Sequence, residues 1–267
     1  MPRKPKLGQN FLRDQTAIRR IVAALGDISH QTVIEIGPGQ GAITGLLASQ
    51  AARVIALELD RELAPRLRGF LGSDRVTVLE QDVLQFDFAA AAAQAGHRLA
   101  VVGNLPYYIT SPILLKLAES ANSPGGPAID RAVLMVQREV ADRIVAEPGS
   151  RDYGSLSVTV RMYGQVERLF TLPPGAFSPP PEVHSTVLRW RFAPRFAELG
   201  VPAGPFLAFV RQAFAQKRKT LANNLRAAQY SPDAIEAAFA TASIPALARA
   251  EELSPESLAA LFLAMPQ

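Results

Sequence analysis

The sequence predicts an α/β fold: a mostly parallel sheet with helices on both faces and an antiparallel hairpin at one edge, followed by a small helical domain. Three observations carry this. Short apolar runs rich in β-branched residues alternate with amphipathic or alanine-rich stretches over the first two-thirds of the chain. Such runs suit strands buried on both faces, as in a parallel sheet. The first strong run, residues 32–36, leads straight into a glycine-rich turn, and from Pro205 onward the apolar spacing becomes helical.

Taken in order, residues 32–36, 54–59, 76–79, 99–102 and 132–136 are the buried strands, and the stretches between them supply the crossover helices. Residues 155–163 and 183–192 follow with no evident crossover helix between them, which predicts the edge hairpin. Residues 193–204 form the boundary, so that 1–192 make the ligand-binding and catalytic domain and 193–267 the helical one. Ser231-Pro232, Ile244-Pro245 and Ser254-Pro255 each read as a helix start.

Composition narrows the function classes. The chain has 267 residues, 48% of them hydrophobic, enough for one large core and a smaller appendage. It contains no cysteine, so disulfides, iron–sulfur clusters and cysteine nucleophiles are excluded, and its 3 histidines make a histidine-rich metal site a poor expectation. No metal is expected. No run approaches the roughly eighteen apolar residues of a membrane span, and residues 1–10 are basic and polar with no apolar segment behind them, so a cytoplasmic protein is expected.

The net charge of +4 is unevenly spread. Residues 1–20 hold Arg3, Lys4, Lys6, Arg13, Arg19 and Arg20 against Asp14 alone, and residues 186–230 hold eight basic side chains against Glu198 alone, so the remaining body is acidic. Two basic segments flanking an acidic body favour a polyanion lying against those segments. The second includes Lys217-Arg218-Lys219, set between apolar Phe214 and Leu221. In a helix these three charges would fan around more than half the circumference, so some must face solvent or a polyanion.

The first site is Val33-Ile34-Glu35-Ile36-Gly37-Pro38-Gly39-Gln40-Gly41. Gly37 and Gly39 let a ligand approach the backbone without Cβ atoms in the way. About twenty residues on, the next strand ends in Glu58-Leu59-Asp60, placing Glu58 where a carboxylate accepts from ribose hydroxyls. The third strand runs into Gln81-Asp82, an acid suited to an adenine amine. This adenosine cradle is Rossmann-like and fits either a dinucleotide or S-adenosylmethionine. The spacing Gly-x-Gly-x-Gly, in place of Gly-x-Gly-x-x-Gly, and the acid Glu35 before the turn favour the cationic methyl donor over a pyrophosphate.

The second site stands one strand further, at Asn104-Leu105-Pro106-Tyr107. The adenine amine is a poor nucleophile because its lone pair is delocalised into the ring. A catalyst therefore accepts from both N–H bonds and favours pyramidal nitrogen. The Asn104 side-chain oxygen and the Leu105 carbonyl suit those two roles, with Pro106 stiffening the loop and Tyr107 stacking on the extruded base. No general base is required, since the nitrogen becomes acidic only after attack.

Together with these sites, four stretches resemble the bacterial small-subunit (16S) rRNA adenine N6,N6-dimethyltransferases of the KsgA/RsmA type, and more distantly the macrolide-resistance rRNA methyltransferases. They are Gly8-Gln9-Asn10-Phe11-Leu12, Pro-Gly-Ser-Arg-Asp-Tyr-Gly-Ser-Leu-Ser-Val at 148–158, Phe-Ser-Pro-Pro-Pro-Glu-Val-His-Ser at 177–185, and Ala-Phe-Ala-Gln-Lys-Arg-Lys-Thr-Leu-Ala-Asn-Asn-Leu at 213–225. The last resembles the small-subunit enzymes rather than the resistance enzymes.

The resemblance implies a class I methyltransferase sheet whose donor contacts fall on Asn10, Leu12, Gly37, Glu58, Asp82 and Asn104. It also implies an acceptor site with Tyr107 and a second stacking ring at Phe177. S-adenosyl-L-methionine is the implied cofactor, with S-adenosyl-L-homocysteine as product. The implied substrate is two adjacent adenosines in the 3′-terminal hairpin loop of small-subunit rRNA, within an immature 30S particle, met by a monomer that acts in ribosome biogenesis. Glu182 departs from the pattern, standing where the family usually has lysine. Two alternatives stay open: methylation of large-subunit rRNA, and an assembly checkpoint whose docking matters more than its chemistry.

Overall fold

The computed structural model describes residues 10–71, 74–123 and 125–266. Among them the chain runs β1 (Phe11–Leu12), α1 (Gln15–Ala24), β2 (Thr32–Ile36), α2 (Thr44–Gln50), β3 (Arg53–Glu58), α3 (Leu63–Leu71), β4 (Val76–Glu80), α4 (Phe88–Ala95), β5 (Leu99–Asn104), α5 (Thr110–Ser120), β6 (Ile129–Gln137) and α6 (Arg138–Val145). It continues through α7 (Ser155–Tyr163), β7 (Gly164–Leu172), β8 (Phe177–Ser178), β9 (Ser185–Phe192), α8 (Ala203–Ala213), α9 (Leu221–Ala227), α10 (Pro232–Thr241) and α11 (Pro255–Ala264).

Seven strands form one sheet in the order β4-β3-β2-β5-β6-β9-β7. β2 through β6 pair in parallel, and β9 joins β6 antiparallel. The five parallel strands are the five read as doubly buried runs. Thr32–Ile36 is buried at every position, as are the first five residues of β5, because helices cover both faces. The chain first builds outward from β2 through β3 to β4, then returns to place β5 on the other side of β2. That reversal opens a crevice at the carboxyl ends of β2 and β5, where open α/β sheets hold ligands.

Two compact units result, one made of the chain up to Ala141 with Val166–Phe192, the other of Asp142–Gln165 with the chain from Ala193. The second unit thus takes in residues 142–165, which the sequence-based boundary at 192/193 assigns to the sheet domain.

The expected strand at 155–163 is instead the helix α7, and the sheet's edge strand is β7. The period-2 alternation of Leu156, Val158, Val160 and Met162 with Ser157, Thr159 and Arg161 is what suggests a strand. The helix wins because its inward hydroxyls are satisfied: Ser157 Oγ accepts from Gly154 N–H and donates to the Arg143 carbonyl, and Thr159 Oγ1 donates to the Ser155 carbonyl. Ser157, Val158, Val160, Met162 and Tyr163 are then all buried, and tertiary packing overrides β-propensity.

In the second unit Ser231 and Ser254 cap α10 and α11, each accepting a backbone N–H at 3.2 Å with proline in the first turn. Ile244-Pro245 starts no α-helix; the next regular element is a 3₁₀ turn at Ala250–Glu252. Residues 214–220, which hold Lys217-Arg218-Lys219, form a turn between α8 and α9 rather than a helix. Buried Asn224 fixes this turn, donating to the Ala213 and Gln216 carbonyls and accepting from Gln216 N–H.

Candidate adenine methyl-transfer site

The glycine turn leaves β2 with Gly37, Gly39 and Gly41 at φ of +64°, +57° and +81°, conformations that other residues adopt only with strain. Gly37 N–H donates to the Leu57 carbonyl at 3.0 Å. At Gly39 a Cβ would sit 2.8 Å from the Phe11 ring, so this glycine also admits the N-terminal strand β1 against the turn. Gly103 does the same for the strand ends, since its Cβ would fall 2.9 Å from Ile36 Cβ.

Glu58 closes β3 almost fully buried. One carboxylate oxygen accepts from Gly39 N–H at 3.0 Å and the other from Asp60 N–H at 2.9 Å. Burial raises its pKa, and those two backbone donors pull it back down. Each oxygen keeps a further lone pair, which is what a pair of ribose hydroxyls needs. One strand over, Asp82 Oδ1 accepts from Leu84 N–H at 2.9 Å and begins a 3₁₀ turn at Val83–Gln85, while its second oxygen makes no hydrogen bond among the described residues.

Glu35 lies beneath the turn, 2% exposed, and burial, with the charge of Glu58 adding to it, pushes its pKa up to about 7.

The end of β5 is held from three sides. Asn104 Nδ2 donates to the Asn10 carbonyl at 2.9 Å. Leu105 N–H donates to the Met135 carbonyl at 3.0 Å. Thr110 Oγ1 donates to the Pro106 carbonyl at 3.0 Å. Tyr107 is half-buried, its hydroxyl 2.9 Å from Oγ of fully buried Ser185, the first residue of β9. Burial raises the Tyr107 pKa, so the phenol stays protonated at neutral pH.

These strand ends enclose one cleft with about 810 Å³ of space between its atoms, part of it open to solvent. Its walls bring together Asn10, Gly37, Gly39, Glu58, Asp82, Asn104, Leu105, Pro106 and Tyr107, all named from the sequence. Phe11, Leu59, Val83 and Tyr108 line it too and went unassigned. Phe11 and Tyr108 stand beside assigned residues in the motifs, but nothing in the sequence shows which neighbours face inward. Ser185 is 78 residues from its partner Tyr107, and only the β6–β9 pairing brings it there.

Leu12 and Phe177 are not in the cleft wall. They pair with each other in the short β1–β8 ladder, 5% and 4% exposed, inside the hydrophobic core. Lys217, Arg218 and Lys219 belong to the second unit, exposed and without ion pairs among the described residues, with Lys217 Nζ donating to the Arg151 carbonyl. Gly8 and Gln9 of the first motif lie outside the described residues. No group of three or more His, Cys, Asp or Glu side chains is placed to hold a metal among the described residues, and none of their helices is long and apolar enough to cross a membrane.

The family model described as ribosomal RNA adenine dimethylase matches residues 2–266. A protein of Acidobacterium capsulatum named ribosomal RNA small subunit methyltransferase A is 62% identical over 97% of this chain and 90% of its own length. One of the same name from Koribacter versatilis is 48% identical over 97% and 93%. Among solved structures, a dimethyladenosine transferase from Plasmodium falciparum superposes with a TM-score of 0.76 at 22% identity, covering 95% of this chain and 96% of the other, a likeness of fold. The 23S rRNA methyltransferase ErmE superposes with a TM-score of 0.69 at 28% identity, covering 97% and 100%.

Proposed function

The chain belongs to the ribosomal RNA adenine dimethylase family, and from that premise we propose that it dimethylates N6 of two adjacent adenosines in the 3′-terminal hairpin loop of small-subunit rRNA, using S-adenosyl-L-methionine, on an immature 30S particle. The observation that carries this reading is the convergence of Glu58 and Asn104, the ends of β3 and β5, and Asp82, just past the end of β4, on one cleft beside a glycine turn. The small subunit is favoured over the large by the 62% identity to a small-subunit enzyme, against 28% to ErmE.

The cradle fits the donor. Glu58 has spare lone pairs for two ribose hydroxyls, the free oxygen of Asp82 suits an adenine amine, and the glycines leave the turn bare of side chains. When bound, S-adenosyl-L-methionine supplies a methyl group on a positively charged sulfur, and S-adenosyl-L-homocysteine is the product. The Asn104 amide nitrogen is engaged by Asn10, so its Oδ1 accepts one N–H of the target amine while the Leu105 carbonyl accepts the other. Both acceptors gain strength as positive charge grows on that nitrogen. The Tyr107 ring, held through its hydroxyl by Ser185, stacks on the extruded adenine. The proton leaves the nitrogen only after attack, to solvent. The exposed Lys217-Arg218-Lys219 turn binds rRNA phosphates.

Incubating the protein with labelled donor and with small or large ribosomal subunits lacking the modification tests this directly. Label is expected in N6,N6-dimethyladenosine of the small-subunit rRNA only. Label in large-subunit rRNA would favour the resistance-type reaction. Normal subunit maturation supported by an inactive Glu58→Ala protein would favour the checkpoint role.

A further inference from the structure

Tyr107 and Tyr108 are neighbours in one turn, yet their surroundings differ. Tyr107 is half-buried and tied to Ser185, whereas Tyr108 lines the same cleft, is 61% exposed and makes no hydrogen bond among the described residues. Residues Tyr107–Ile109 form a 3₁₀ turn, in which successive side chains diverge by about 120°. Two rings so disposed cannot close on the same base. The cleft wall also holds two acids, Glu58 and Asp82, and no lysine, arginine or histidine. RNA phosphates are therefore held elsewhere, and what Tyr108 offers a nucleotide here is an uncharged ring. Extruding one base leaves its neighbour with a bare face, and an exposed aromatic ring stacks on any base.

We propose that Tyr108 is a substrate-positioning residue whose ring stacks on the nucleotide next to the adenosine being methylated. This rests on the reading of the cleft as an adenine methyl-transfer site. Where two adjacent adenosines are modified in turn, the ring steadies one while the other occupies the pocket at Asn104. Losing it weakens productive docking of the RNA and uncouples the two modifications, and the donor's own contacts stay as they were.

The test compares wild type, Tyr108→Ala and Tyr108→Phe on small subunits lacking the modification. The KM for subunits, kcat and the number of modified adenosines per particle are read by mass spectrometry, with S-adenosylhomocysteine affinity measured calorimetrically. Tyr108→Ala is expected to raise KM about tenfold or more, with a smaller effect on kcat, and to accumulate particles modified at one adenosine. Affinity for S-adenosylhomocysteine stays at the wild-type value, and Tyr108→Phe restores the KM. A wild-type KM and modification pattern in Tyr108→Ala overturns the proposal, as does a KM defect matched by lost S-adenosylhomocysteine affinity. If the wild-type protein itself leaves small-subunit adenosines unmethylated, the underlying reading falls and the proposal with it.

Discussion

Asn104 Nδ2 donates to the backbone carbonyl of Asn10 across 94 residues of sequence, at 2.9 Å. A carbonyl only accepts, so the amide must turn its nitrogen to Asn10 and leave Oδ1 as the acceptor for a substrate. One contact therefore sets the polarity of the side chain proposed to hold the target amine and ties Asn10 to the cleft.

Asn104→Ala removes that acceptor, and transfer is expected to fall about a hundredfold or more. Donor binding weakens but stays measurable. Single-turnover label transfer to small subunits checks the rate, and wild-type turnover in this variant would remove Asn104 from the chemistry.

Glu58→Ala loses the two proposed ribose contacts and also frees the Gly39 and Asp60 N–H groups. Hydrogen bonds to a charged group are each worth about 1.5–3 kcal/mol, so S-adenosylhomocysteine affinity is expected to drop about a hundredfold. Binding to small subunits is expected to be retained, because Glu58 is proposed to touch the donor and not the RNA. Calorimetric titration giving an unchanged affinity would contradict the assignment.

Ser185→Ala deletes the partner of the Tyr107 hydroxyl. The net value of such a bond is about 1 kcal/mol, so the expected result is a several-fold loss of kcat with S-adenosylhomocysteine affinity unchanged. Tyr107→Phe should match it, because the ring is kept and only its tether is lost. A much larger loss in Tyr107→Phe would mean that the hydroxyl itself takes part.

The exposed turn at Lys217, Arg218 and Lys219 predicts a salt effect. Each phosphate neutralised releases condensed counterion, so changing all three to alanine should flatten the salt dependence of subunit binding by about two to three units of slope. Donor affinity is unaffected. The wild-type slope in the triple variant would remove this turn from RNA contact.

Glu35 makes stability depend on pH. Its folded pKa of about 7 lies above the ordinary 4.5, so its neutral form suits the fold. The resulting stability is present at low pH and is lost as pH rises through 7. Measured by denaturant unfolding, Glu35→Gln should gain on wild type by about 3 kcal/mol between pH 5 and pH 8, as an order of magnitude. A difference that does not change with pH would show that Glu35 is charged throughout.

Much of this was readable in the residues. The parallel strands are legible because β2, β3, β5 and most of β6 are buried on both faces and therefore nearly all apolar, while β4, at the sheet edge and only partly buried, keeps enough β-branched residues to be read as a strand. Glu58 and Asn104 are legible because each ends a strand beside a turn, and Asp82 because it follows the end of β4 by two residues and caps the turn there. Residues 155–163 misled because a buried serine and a half-buried threonine, each donating to a backbone carbonyl, mimic the polar positions of a half-exposed strand. Ser185 and Phe177 show the other limit. One reaches Tyr107 and the other packs into the core opposite Leu12 only through strand pairings that no local pattern announces.

The most direct measurement of the central claim is mass spectrometry of the 3′-terminal fragment of small-subunit rRNA, taken from unmodified subunits incubated with the protein and isotopically labelled S-adenosyl-L-methionine. The account predicts four labelled methyl groups on two adjacent adenosines with wild type, and essentially none with Asn104→Ala. A labelled methyl on any other nucleotide, or an unlabelled fragment from wild-type reactions, would contradict it.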